Sequence, residues 1–317
     1  MGRYVLRRLV QAVPLLFAIT LLSFALMKAA PGGPLSIYRE NPEFDPNDIA
    51  ALEEQLGLHD PIPIQYAKWV GNLVTLDWGY SYVTHEPVVQ RIWQRLPNTL
   101  YLMLSAYVLT LLIAIPIGVL AALRQYSWYD HLASAGAFFG ISMPVFWFGL
   151  LMILTFAVNL RWLPTSGMAT VGADFDVVDR LRHLAMPALV LALVSAAGYS
   201  RFIRGSMLEV IHQDFIRTAR AKGLRERLIV LRHAFKNAAL PFVTLLALDI
   251  PDLFTGAVVT ETIFAWPGMG RLYIDSVTRL DYSVLMAILT VSAALLILSN
   301  LLADILYAYL DPRIRYS

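Results

Sequence analysis

Residues Asp214 to Pro241 read DFIRTARAKGLRERLIVLRHAFKNAALP, and the fold turns on how this stretch is read. It separates two long apolar runs, one ending near Tyr199 and the other beginning near Leu240, and it is the most basic part of the chain. Its wording is that of two short helices around a glycine. Asp214 is placed to cap the first, since a carboxylate accepts from free backbone N–H groups one turn on. Phe215 to Ala221 then supplies about two helical turns. Gly223 follows, the residue type that most readily takes the left-handed position ending a helix. Leu224, Leu228 and Leu231 share a face of the second piece. Pro241 marks the entry to the next apolar run. A basic helical hairpin between membrane-length runs is suited to touch another protein or anionic lipid headgroups.

The runs on either side set the class. The chain of 317 residues is 58% hydrophobic and 15% charged, where soluble proteins average about 25% charged. An apolar stretch of about 20 residues spans a bilayer core. Six regions qualify, near 9–29, 100–123, 133–158, 185–204, 240–260 and 284–308. The expected fold is therefore an all-α polytopic membrane protein of about six transmembrane helices. The first run, Leu9 to Met27, follows a basic start but is longer than a signal-peptide core, so it reads as a retained helix.

Basic residues orient the spans. With the N-terminus inside, the inner segments hold Arg3, Arg7, Arg8, Arg124, the run from Arg201 to Lys236, Arg313 and Arg315. The outer segments carry sparser bases and many acids, among them Glu40, Glu43, Asp45, Asp48, Glu53 and Glu54. Both termini are thus expected in the cytoplasm. The division expected is a transmembrane helix over 1–30, an external segment over 31–96, a transmembrane core over 97–310 and a cytoplasmic tail over 311–317. Within the external segment, Asp48 to Leu56 suits a short amphipathic helix closed by Gly57, while Pro61 and Pro63 point to an extended piece. Its aromatics suit a membrane interface. It is either a compact cap on the first helices or a docking surface for a soluble partner.

Several chemistries lack their residues. There is no cysteine, so disulfides and thiolate chemistry are excluded. No G-x-x-x-x-G-K-[ST] phosphate loop and no H-E-x-x-H zinc pattern occurs. Nothing in the chain suggests an enzyme, a bound cofactor or a nucleic-acid site. The residues that stand out instead are Asp249 and Asp252, acids within the fifth run, where a charge costs about 2.5–3.5 kcal/mol to insert. They either line a watery path or pair with an arginine on a neighbouring helix. Pro144, with Ser142 before it, interrupts the third run; the region is either a kink that moves in gating or simple packing. Gly118, Gly136, Gly140 and Gly149 are placed to let helices approach closely.

The basic hairpin resembles the EAA loop of ABC importer permeases, which reads Glu-Ala-Ala, three free residues, Gly, a spacer, then Ile-x-Leu-Pro. Here Arg217, Thr218 and Ala219 fill the first slots, with Gly223 and Leu240-Pro241 in register; Arg217 replaces the Glu and Ala238 the Ile. TARAKGL is the wording of the dipeptide/oligopeptide branch. QLGL before Asp60-Pro61, Asp77-Trp78-Gly79-Tyr80-Ser81, RLPNTL at Arg95 to Leu100, Ser142 to Trp147, ETIFAWPGMG at Glu261 to Gly270 and the closing DPRIRY are similar to the same branch. Pro31-Gly32-Gly33-Pro34 stands where the branch has PGDP.

The resemblance implies a permease subunit of a binding-protein-dependent importer in a bacterial-type cytoplasmic (inner) membrane, with dipeptide or oligopeptide cargo. Nickel, haem or glutathione are alternative cargoes within the class. It implies a second homologous permease, two cytoplasmic ATPases that bind the ATP and Mg, and an external substrate-binding protein. Residues Asp214, Phe215, Ile216, Arg217, Thr218, Ala219, Arg220, Ala221, Lys222, Gly223 and Leu224 would couple to the ATPases. Phe215 and Ile216 would enter a partner groove, and Ala219 and Ala221 would allow close approach. Asp249, Asp252, Ser142 and Pro144 are candidates for the translocation path. The rival class is an ion-coupled secondary transporter using Asp249 and Asp252.

Overall fold

The computed structural model describes residues 2–29, 35, 39, 45–55, 57–250, 253 and 257–310. Asp252, the Pro31–Pro34 stretch and the tail over 311–317 lie outside the described residues. Helices dominate, and among the described residues the only β pairing is an isolated bridge between Tyr80 and Pro87.

The chain begins with α1 (Gly2–Ala29), whose apolar surface stays largely open to the surroundings, as suits a lipid-facing helix. Two short helices follow, α2 (Pro46–Gln55) and α3 (Ile62–Val74). The first opens at Pro46, with the Asn47 N–H donating to Asp45 at 2.8 Å, so α2 starts earlier than expected. Pro61 and Pro63 do not give an extended piece. They open α3, since a proline in the first helical turn loses no hydrogen bond and has its φ already set.

Two long helices form the centre of the bundle, α4 (Val88–Leu123) and α7 (Val177–Ile211). Glycine and alanine bring them together. A Cβ built on Gly118 would lie 2.6 Å from the Ser200 carbonyl and 2.8 Å from the Ile203 Cβ. Only glycine permits that approach. Thr110, buried at the same seam, bonds back to the Ala106 carbonyl at 2.8 Å and so leaves no free hydroxyl in the interior.

Between them, α5 (Trp128–Ser142) and α6 (Val145–Met152, continued as a π-turn over Ile153–Asn159) meet at 103°. The expected kink at Pro144 is a complete break. Proline cannot donate to the ladder and pushes the residue before it out of the α region; Met143 is extended at φ −83°, ψ 125°. Ser127 caps α5, and Asp130 within it takes both Nε and Nη2 of Arg204 on α7, at 2.5 and 2.7 Å. This bidentate pair fixes α5 to α7.

After the basic hairpin come α10 (Lys236–Leu248), α11 (Val258–Ile263), α12 (Met269–Thr278) and α13 (Tyr282–Leu310); α8 and α9 lie within the hairpin itself. Among the described residues four helices are long and apolar enough to cross a membrane, and the bent pair α5–α6 makes a fifth where its two halves count as one span. No continuous helix covers the expected span over 240–260, because α10 stops at Leu248, just ahead of Pro251. Three of the four glycines sit at close approaches: Gly118 against α7, Gly140 where a built Cβ would lie 3.0 Å from the Ala197 Cβ, and Gly149 where it would lie 3.3 Å from the Phe264 ring. Gly136 has open space beside it, so it is not a packing glycine within this chain.

Candidate functional site

The hairpin starts with α8 (Asp214–Ala221). Gln213, extended at φ −74°, ψ 153°, occupies the capping position, and no side chain caps the helix. Asp214 is instead its first residue, where a negative charge suits the positive end of the helix dipole. It lies 3.4 Å from the Arg217 guanidinium and is almost fully exposed.

The far end matches the sequence reading. Gly223 is left-handed at φ +72°. Its N–H donates to the Arg220 carbonyl at 2.9 Å, and the Leu224 N–H to the Ala219 carbonyl at 3.4 Å. These two bonds form a Schellman closure, satisfying carbonyls that the helix end would otherwise orphan. No atom lies within 4 Å of a Cβ built on Gly223, so the glycine serves the backbone angle and not a tight fit.

The two faces of α8 differ from expectation. Ile216 is fully buried and Ala219 is 6% exposed, both in a cluster with Met207, Val210, Ile229 and Val230. They anchor α8 to its own chain, because residues three apart share a face. They are therefore absent from the free face of the helix. The free face carries Phe215, 40% exposed, together with Arg217, Thr218, Ala221 and Lys222. Arg220 crosses to Glu226 in the second arm at 2.7 and 3.3 Å, which holds the Glu226 carboxyl below its ordinary range.

That second arm is a single turn, α9 (Glu226–Leu228), running into a π-helix over Ile229–Phe235. Ile229, Val230 and Ala234 turn inward, while Leu224, Leu228 and Leu231 are all more than a third exposed. The expected leucine face exists, and it points outward. With Phe215 it makes the free side of the hairpin apolar at several points and basic between them.

The other candidate residues sit elsewhere. Asp249 follows the last turn of α10, its N–H 3.3 Å from the Leu246 carbonyl. Tyr107 on α4 donates to that same carbonyl at 3.1 Å, pinning the helix end to the bundle. Ser142 and Pro144 flank the 103° break, and both are exposed.

Sequence reading missed a buried knot that joins two of its own motifs. Glu261 is fully buried. It accepts from Thr99 Oγ1 at 2.9 Å and from the Arg271 N–H at 3.0 Å. The Thr99 hydroxyl in turn accepts from the Met269 N–H at 2.7 Å. Trp266 Nε1 donates to the Asn98 carbonyl and Asn98 Nδ2 to the Pro267 carbonyl, both at 2.9 Å. The Arg95–Leu100 motif and the Glu261–Gly270 motif thus close on each other. A Cβ on Gly268 would strike Thr99 Oγ1 at 2.5 Å. A similar clasp joins the Asp77–Ser81 motif to the start of α13: Ser81 donates to Asp281, which also accepts from the Tyr82 N–H at 3.1 Å. Polar residues gathered at the ends of apolar runs were the available signal, because such groups must find partners once buried.

Residues 114–316 match the family described as binding-protein-dependent transport system inner membrane component, and residues 1–103 match that family's N-terminal region. The chain is 47% identical over 317 residues to the oligopeptide transport system permease protein AppB of Bacillus subtilis (strain 168), covering 100% of each. It is 38% identical over 337 residues to the dipeptide transport system permease protein DppB of Escherichia coli (strain K12), covering 100% of this chain and 99% of that one. In structure it is similar to a chain of the inward-facing MetNI methionine ABC transporter, with a TM-score of 0.58 at 18% identity over 71% of this chain and 99% of that chain.

Proposed function

The chain belongs to the binding-protein-dependent transport system inner membrane components, and from that membership we propose that it is the permease subunit of an ATP-driven importer of dipeptides or oligopeptides. The peptide cargo is carried over from relatives that match along their whole length. In this reading both termini are cytoplasmic, and the chain forms half of the translocation pathway with a second, related permease. Two cytoplasmic ATPases bind the ATP and Mg, and an external binding protein delivers the cargo.

The observation that carries the coupling role is the two-faced α8. Ile216 and Ala219 fix its inner side to the bundle core, so that a push on the helix moves α7 and the second arm together. Phe215 and the bases beside it remain free to enter a groove on an ATPase. Charged pairs at the rim of such a groove guide docking more than they add affinity.

Reconstituted uptake tests the reading. With the partner subunits present, uptake of a tripeptide should stop when the ATPases carry a defective phosphate loop and should continue after the proton gradient is collapsed. Uptake that survives loss of ATPase activity and fails with the gradient would instead make the chain a secondary transporter.

A further inference from the structure

The N-terminal helix meets the bundle around an open cavity of ≈ 690 Å³, bordered by the end of α1, by the end of α2 and the turn after it, by α3 with the loop after it, and by the start of α13. Its wall has two chemistries. Phe24 and Met27 of α1 and Met286 and Ala287 of α13 supply much of its apolar lining. Tyr282, Met286 and Thr290 of the lining recur every fourth residue, so they follow one another down a single face of α13. Eight residues of helix span about 12 Å, so this wall runs well along a membrane-spanning helix. Lys28, Glu54 and Asp77 also line the cavity. Lys68 is there too, but Asp60 already engages it at 2.6 Å. Lys28 sits 5.8 Å from the centre of the Phe24 ring, and among the described residues no carboxylate pairs with it.

We propose that this cavity binds a zwitterionic, amine-bearing phospholipid, with the phosphate at Lys28, the ammonium at Asp77 and Glu54, and an acyl chain along the apolar lining from α1 and α13. Among the described residues of the lining, one available cation with two carboxylates makes the complement of a phosphate joined to an amine. A purely anionic headgroup would meet the two acids unfavourably. A free peptide is also zwitterionic, but it has no use for an apolar wall that follows one membrane-spanning helix for about two turns. Trp69 and Trp78 line the headgroup end, the level at which such rings gather in membranes. The lipid would act as a wedge seating the mostly lipid-facing α1 against the bundle.

The test uses the full chain purified with its co-purifying subunits, delipidated in detergent and incubated with mixed micelles of palmitoyl-oleoyl phosphatidylethanolamine, phosphatidylglycerol or phosphatidylcholine. Retained lipid is read by native mass spectrometry. Phosphatidylethanolamine should be retained in preference to the other two. Lys28→Ala should lower its retention about fivefold, the attraction of one basic residue for a headgroup phosphate, and Lys28→Arg should restore it. Asp77→Asn with Glu54→Gln should erase the preference over phosphatidylglycerol while phosphatidylglycerol retention holds or rises. A merely structural role for these residues would not move that ratio. Equal retention of all three lipids, indifference to the Lys28 and Asp77 changes at unchanged melting temperature, or displacement of the lipid by trialanine would overturn the proposal.

Discussion

Gly223→Val is the sharpest perturbation of the hairpin. The φ of +72° places residue 223 where a β-branched side chain is strongly disfavoured. A left-handed L-residue costs about 1–2 kcal/mol. No packing cost is added, because nothing lies within 4 Å of the new Cβ. The cheapest relief is to break the bonds from Gly223 and Leu224 back to Arg220 and Ala219, which unwinds the last turn of α8. A penalty of about 1–2 kcal/mol shifts a two-state population by about 5- to 30-fold, so the chain reversal that sets α8 against the second arm becomes that much less populated relative to its unwound form. The bundle should not notice, since the glycine is exposed. Gly223→Val should therefore reach the membrane at normal levels, while ATP-driven peptide uptake in proteoliposomes and recovery of the ATPases on purification both fall. Gly223→Ala should give a smaller loss of both. Normal uptake with normal ATPase recovery in the valine variant would refute the reasoning, and a basic loop resting on headgroups would then be the better description.

Asp249→Asn should reduce uptake while assembly and basal ATPase activity hold if the residue lines the pathway; failure of the variant to accumulate would make it structural. Glu261→Ala should lower the thermal stability of the purified chain by about 1–3 kcal/mol, since the Thr99 hydroxyl and the Arg271 N–H lose a buried acceptor; Glu261→Gln, which keeps an acceptor oxygen, should lose less, and equal melting of both variants with the parent would contradict the knot. A cysteine at Gly71, an exposed position with open space around its Cα, should be labelled by an impermeant thiol reagent added outside cells, and one at Arg225 should not; the reverse pattern would invert the topology.

Much of this was legible in the sequence, and the misses share a cause. Hydropathy located the long helices, and Gly223 was identifiable because its constraint is local to the backbone. Pro61 and Pro63 were misread because proline ends helices in general, whereas at a first turn it begins one. Ile216 was assigned outward because sequence alone does not say which apolar residue of a short helix meets its own chain. Its burial depends on Ile229 and Val230, brought over by the hairpin. The Glu261 knot was hidden for the same reason: Thr99 and Glu261 are 162 residues apart. Pro144 was visible as an interruption, but a proline does not by its presence give the 103° angle between the two helices.

The most direct test of the coupling role uses the chain's lack of cysteine, which makes any introduced thiol unique. With the ATPases assembled, Phe215→Cys carrying a thiol-attached photo-crosslinker should form an adduct with an ATPase subunit. Ile216→Cys, one residue on but turned into the core, should form none. An adduct from Ile216 equal to that from Phe215, or none from Phe215 while the ATPases still co-purify, would contradict the account.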